Sequence, residues 1–252
     1  MQACLPNFFS YRAAKDLIRV GREGDGGYLI SQADIEKTDF LLGLGIKDDW
    51  SFEQHFTSLN KVPVLAYDGS ISQEVFLKQL IKSGLRLYNP KRFAHQLQVY
   101  FSYRRFFSGP NKHIEKFVGL NTIDERYCSL ESILESVKSE NIFLKIDIEG
   151  AEYRLFETIL SQQHRFTGLA IELHHCDLHL PAIESFISRL SLKLVHIHAN
   201  NNGPVRSDDR LPLVLELSFS AHSKQQEPAK LPHPLDRPCN RKKSEIYLVI
   251  QH

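Results

Sequence analysis

No run of about eighteen uncharged apolar residues occurs in the chain, so no segment has the make-up of a transmembrane helix. The first twenty residues, MQACLPNFFSYRAAKDLIRV, also lack the apolar core of a signal peptide. Net charge is nearly absent: 31 basic and 30 acidic residues leave +1, so no whole-molecule field draws the protein to nucleic acid or an anionic surface. Cysteine is sparse. Cys4, Cys128, Cys176 and Cys239 form no CxxC pair, which argues against a disulfide framework and against a zinc knuckle. A reducing, cytoplasmic setting is expected. Internal repeats and low-complexity tracts are missing as well. With 252 residues, 42% hydrophobic and 24% charged, the composition suits one globular domain spanning 1–252.

What is present is alternation. Strand-like runs (DFLLGLGI, VPVLAYDG, KFVGL, NIFLKIDI, TGLAIELHH, LKLVHIHAN) are separated by helix-like runs (DWSFEQHFTSL, SQEVFLKQLIKSG, SLESILESVKS, GAEYRLFETILSQ, PAIESFISRLS). This rhythm predicts an α/β fold with a mostly parallel sheet covered by helices on both faces. Two late strands, LPLVLELSFS and EIYLVI, follow without an intervening helix, so at least one is expected to pair antiparallel. That gives about seven or eight strands. Two segments break the pattern: 89–113, aromatic and arginine-bearing, is read as an inserted helix, and 221–243, rich in Pro, His and Lys, as a long loop.

In an open parallel sheet, ligands bind beyond the carboxyl ends of the strands, where loops leave the core and helix N-termini point outward. The first strand ends in GLGIKDDWSFE, whose Gly43 and Gly45 permit a tight turn. The second ends in AYDGS, with Asp68 placed 25 residues after Gly43. That spacing suits an acid accepting both hydroxyls of a ribose, though a turn Asp before Gly69 has the same local sequence. The later strands end in Asp147 and Glu149, in Glu172, His174 and His175, and in His196, His198 and Asn200. Each of these residues alone has a structural explanation, such as a helix N-terminus or a hydrogen-bonded core histidine. Three consecutive strand ends of this kind predict a shared polar crevice, able to hold a divalent cation or a proton acceptor.

LKIDIEGAEYRLFE is similar to the signature of FkbM-type methyltransferases, and GREGDGGYLI, GLGIKDDWSFE, AYDGS, AIELHH, HIHANNNGP, LVLELSFS and LPHPLDRPCN resemble one branch of that family. The resemblance implies a Rossmann-like class I methyltransferase fold, S-adenosylmethionine as cofactor, and O-methylation of a sugar or natural-product hydroxyl, with a small-molecule or glycan acceptor. It also implies that Gly43 and Gly45 lie against the methionine part of the cofactor and that Asp68, with Gly69, lies at its ribose. Asp25 or Asp49 would meet its ammonium group, and Asp147 would stand beside the methyl group or a metal partner. Leu42 departs from the pattern, since many members carry an acid before the glycine turn.

An alcohol acceptor must lose its proton during transfer. His198 or His174 is therefore expected as base, with Asp147 and Glu149 at the same centre. Alternatively a cation, Mg or Mn, held by Asp147, Glu172 and His198 lowers the acceptor's pKa. Arg104, Arg105, Phe106, Phe107 and the LPHPLDRP loop are expected to wall the acceptor pocket. Two rivals share the same residues: a metal-dependent hydrolase, and a non-catalytic Rossmann-like nucleotide-binding module.

Overall fold

The computed structural model describes residues 1–84, 90–119 and 124–251. Among these, seven strands form one sheet: β1 (Phe40–Leu44), β2 (Val64–Tyr67), β3 (Lys112–Ile114), β4 (Ile142–Ile146), β5 (Phe166–Leu173), β6 (Lys193–Ala199) and β7 (Leu215–Ser220). Their order across the sheet is β6-β7-β5-β4-β1-β2-β3. β7 is antiparallel to both its neighbours; every other pairing is parallel. The helices are α1 (Gln32–Lys37), α2 (Ser51–Leu59), α3 (Gln73–Gly84), α4 (Pro90–Phe106), α5 (Leu130–Ser136), α6 (Phe156–Ser161) and α7 (Cys176–Arg189). No helix of the described residues is long and apolar enough to cross a membrane.

Strand periodicity divides the sheet into two unlike faces. One carries Leu144, Ile146, Leu169, Ile171, Leu217, Phe219 and Ile197, which pack with Ile133, Phe156, Ile159, Ile183 and Phe186 of α5, α6 and α7 in the main core. Each such side chain, nearly free of water contact, contributes about 1.5–3 kcal/mol. On the other face, Phe143 packs against Phe52 and Phe56 of α2 and Tyr28 of the antiparallel pair Leu17–Val20/Tyr28–Ser31. Further along that face, cross-strand register sets Glu172 opposite Glu216, and Glu216 opposite His198. A row of buried ionisable groups thus crosses β5, β7 and β6.

Several expectations are corrected. The third strand of the sheet is Lys112–Ile114, overlapping the end of the segment read as an insert, while Phe117–Val118 of KFVGL pairs with Tyr127–Cys128 outside the sheet. Leu120 of that run and Asn89 of the insert lie outside the described residues. Of the two late strands, Leu215–Ser220 is the antiparallel one, inserted between β5 and β6. Tyr247–Ile250 runs parallel to Gln2–Leu5 in a separate two-stranded sheet. The capped start of α5 is as expected, with the Ser132 amide donating to Ser129 Oγ at 3.2 Å.

The loop after β1 lies tightly against the loop after β4. Gly45 has φ +79°, and a Cβ there would stand 1.7 Å from the Asp147 carbonyl oxygen. Gly45 is therefore required by both its conformation and its neighbour. Gly45→Ala is expected to destabilise the fold by at least ~2 kcal/mol, read from a urea unfolding curve. A loss within ~0.5 kcal/mol would contradict the close approach.

Candidate functional site

Two adjoining hollows open at the carboxyl ends of β1, β2 and β4. The first, of about 270 Å³, is walled by Tyr67, Phe117, Val118, Tyr127 and Ile148, with Asp68, Gly69 and Ser70 at one edge. The second, of about 150 Å³, is charged: Arg22, Asp25, Asp48, Asp49, Lys145 and Asp147 line it. Gly45, Lys47 and Asp147 border both.

Asp68 organises the first hollow. Its Oδ2 accepts from the amides of Ile46 (3.0 Å) and Lys47 (2.7 Å), and its Oδ1 from the amide (2.7 Å) and hydroxyl (2.5 Å) of Ser70. Burial opposes its charge, but the donors from Ser70, Lys47 and Ile46 outweigh it and hold the carboxyl below its ordinary pKa. In this state the carboxylate brackets the glycine loop. A ribose would share or replace the Ser70 contacts. Behind it, His113 Nε2 lies 3.0 Å from the Asp68 carbonyl, and its Nδ1 2.7 Å from the Tyr103 hydroxyl of α4.

The turn after β4 carries three acids, Asp147, Glu149 and Glu152, in three different surroundings. Glu152 is fully buried, and its Oε1 accepts from the amides of Ile148 and Gly150, both at 3.1 Å, bracing the turn. Glu149 is half exposed and ion-paired with Lys47. Asp147 is about a fifth exposed, with Oδ2 3.8 Å from the buried Lys145 Nζ, which also donates to the Gly45 carbonyl at 2.6 Å. Lys47 (φ 43°), Glu149 (φ 57°) and His175 (φ 53°) all hold left-handed backbone in loops after β1, β4 and β5. Such conformations cost about 1–3 kcal/mol each and concentrate where a side chain must be aimed.

His174 joins this group. Its Nδ1 lies 3.0 Å from Glu152 Oε1, and its Nε2 3.6 Å from both Glu149 and Glu172. Burial works against its charge, yet Glu152, Glu172 and Asp147 together raise its pKa to about 9, so at neutral pH it is an imidazolium. Glu172 is buried beside Asp147 and Glu216 and pushed well above the usual carboxylate range; Asn200 Nδ2 (2.9 Å) and the Tyr28 hydroxyl (3.3 Å) donate to it.

The structure thus brings Asp147, Glu149, Glu172 and His174 together, with Asp25 reached through Asn200 at 3.2 Å. His198 is not among them. β7 lies between β5 and β6, so His198 pairs with Glu216 at 2.8 Å and is raised to about 10 by Glu216 and Glu245 despite burial. The expected cation set of Asp147, Glu172 and His198 is corrected accordingly: the donors that converge at the cleft are Asp147, Glu149 and His174, within 4.8 Å of one another. Neither histidine is a free base at neutral pH.

Gly43 is also relocated. It lies within β1 facing Glu53 of α2, not against either hollow. Asp49 pairs with Arg22 and accepts from the Ser51 amide at 3.0 Å, closing the start of α2. Phe106 and Phe107 pack in the aromatic group around Trp50 and Tyr103, and the hollow lined by Arg105 shares no residue with the cleft. Asp236 of the LPHPLDRP loop lies 2.9 Å from His196, so this loop covers the polar sheet face. Lys145, Glu53, Glu216 and Tyr28 escaped the sequence reading. Lys145 was detectable as a charge inside an otherwise apolar strand; the others depend on which face each element presents.

Strand order, the antiparallel β7 and a cleft at the carboxyl ends of β1, β2 and β4 define a class I methyltransferase fold. Residues 84–191 match the model of the methyltransferase FkbM domain. No curated protein matches the chain. Among solved structures, the chain is similar to one titled as a fibrillarin/Nop5p complex, at 8% identity over 73% of this chain and 73% of that one, TM-score 0.38. It is also similar to a Methanococcus jannaschii fibrillarin pre-rRNA processing protein, at 11% identity over 74% and 68%, TM-score 0.37. A third is a METTL16 MTase domain, at 10% identity over 76% and 63%, TM-score 0.40.

Glu53 offers a test of the polar interior. It is fully buried, neither carboxylate oxygen has a hydrogen-bond partner among the described residues, and burial raises its pKa from 4.5 to about 7 although Lys145 pulls it down. A carboxyl raised on folding favours the folded state below its unfolded pKa, and that advantage is lost as pH rises from 4.5 through about 7. Relative to wild type, Glu53→Gln is expected to gain ~1–3 kcal/mol at pH 8 over its value at pH 4, measured by urea unfolding. Parallel pH profiles for the two proteins would refute this.

Proposed function

We propose that the protein is an S-adenosylmethionine-dependent O-methyltransferase acting on a hydroxyl of a sugar or related natural product. The observation that carries this reading is the pair of unlike hollows joined at Gly45, Lys47 and Asp147. The apolar walls with Asp68 suit an adenosyl group: Phe117, Val118 and Ile148 offer surface for a flat base, and Asp68 offers acceptors for ribose hydroxyls. The charged hollow, with Asp25, Asp48 and Asp49 beside Arg22, suits a hydroxyl-rich acceptor. When bound, the cofactor supplies an electrophilic methyl group.

The protein's own work is alignment and proton removal. Holding acceptor and donor in line lowers the barrier by several kcal/mol, on the order of 7–11 at best. Asp147, bordering both hollows, is the carboxylate placed to take the hydroxyl proton as the oxygen loses it. Lys145 lies 3.8 Å from Asp147, His174 approaches it from the loop after β5, and Glu152 fixes the imidazolium through Nδ1. In a second reading, favoured by the mutual approach of Asp147, Glu149 and His174, these three hold a divalent cation such as Mg or Mn. His174 would then lose its proton, and activity would vanish after exhaustive EDTA treatment.

Calorimetry with S-adenosylhomocysteine separates this function from a metal-dependent hydrolase, which has no site for that ligand. Asp68→Ala is expected to weaken the binding at least tenfold, because Asp68 both faces the ligand and braces the loop. Unaltered affinity would remove the adenosyl site from the first hollow. Asp147→Asn is expected to retain S-adenosylhomocysteine affinity within a factor of about three while lowering turnover about 10²- to 10⁴-fold. Turnover is followed with labelled S-adenosylmethionine and an acceptor found by screening glycan and metabolite extracts. Equal turnover in the variant would assign proton removal elsewhere, and a protein that binds but never transfers would be a non-catalytic module.

A further inference from the structure

The row of ionisable groups across β5, β7 and β6 ends in a constellation that the transfer reaction does not use. His198 and Glu216 face each other across the β6–β7 ladder, and the loop before the last strand brings Cys239 onto them. Cys239 Sγ lies 3.2 Å from Glu216 Oε1 and 3.9 Å from His198 Nδ1, and His198 Nδ1 lies 2.8 Å from Glu216 Oε2. His198 and Glu216 are about 95% buried.

We propose that His198 Nδ1, a Glu216 carboxylate oxygen and the Cys239 thiolate bind one zinc ion, which pins the C-terminal loop to the sheet beside the cleft. Three arguments support it. First, donors bound to tetrahedral zinc at its usual distances stand about 3.3–3.6 Å apart, close to the separations already present here. Second, imidazole with thiolate selects zinc over magnesium or calcium, which prefer oxygen alone.

Third, the thiol is held in place before any ion arrives. The Asn201 side chain accepts from the Asn240 amide at 2.7 Å and donates to the Asn240 carbonyl at 3.0 Å, while the Cys239 carbonyl accepts from the Asp25 amide at 3.3 Å. His198 has a carboxylate behind its other nitrogen: Nε2, buried and without a hydrogen-bond partner among the described residues, faces Glu245 Oε1 at 3.4 Å. Carboxylates in that position orient ligand histidines and raise their basicity.

Among the described residues, Asp25 and Glu172 approach Glu216 within 4.8 Å, leaving one of them or a water as the fourth donor.

The site is independent of the methyltransferase reading, and its test does not require turnover. The full chain, stripped with chelator, is titrated with zinc by calorimetry, and bound metal is counted by elemental analysis after dialysis. Expected are one zinc per chain and, with cobalt(II) as probe, a thiolate-to-cobalt charge-transfer band in the near ultraviolet. Cys239→Ala is expected to abolish the band and weaken zinc at least ~100-fold, and Glu245→Gln to weaken it about tenfold. Cys128→Ala, at a distant half-buried thiol, should change nothing. Circular dichroism and urea unfolding report whether each variant is folded. No zinc retained by wild type, a stoichiometry unaltered in folded Cys239→Ala, or magnesium binding in place of zinc would each overturn the site.

Discussion

The approach of two loops at Gly45 and Asp147 is the constraint on which the rest of the site depends. Gly45 gives its amide to the Tyr67 carbonyl and its carbonyl to Lys145, while the Asp147 amide bonds to the Leu44 carbonyl. One backbone crossing therefore ties β1, β2 and β4 at their carboxyl ends. No side chain larger than hydrogen fits there. The two hollows meet at this crossing, so whatever occupies them is brought together by main chain and not by mobile side chains.

Around that crossing the protein divides its acids by function. Glu152 and Asp68 spend their oxygens on backbone amides and fix loop shape; Asp147 and Glu149 keep part of their surface open. Buried cations balance the remainder: Lys145 lies under the turn, and His174 and His198 are charged because carboxylates surround them. An unpaired ion in such a setting costs several kcal/mol, which explains why each histidine keeps its proton near neutral pH. The arrangement makes the histidines donors and sources of positive potential.

Much of this was legible in the sequence because strand ends are written with period two. Asp147, Glu149, Glu172 and His174 were identified from their alternation alone, and Asp68 from its distance to the glycine turn. Gly43 was misplaced because a glycine inside a strand and a glycine just beyond it look alike in sequence. The sheet places Gly43 against Glu53 instead. The strand at Lys112–Ile114 was missed because three residues with a charged start carry little pattern.

Composition and periodicity by themselves determined the α/β class and the parallel rhythm, since these follow from local backbone preference and spacing. Only tertiary structure decided which histidine reaches the cleft. The antiparallel β7, contributed from after β6 in sequence, slides between β5 and β6 and places Glu216 where His198 would otherwise have met Glu172. Strand order is set by how whole elements bury their faces, and no local spacing records it. For the same reason Cys239, with no partner cysteine near it in the chain, finds His198 and Glu216 only once the sheet has formed.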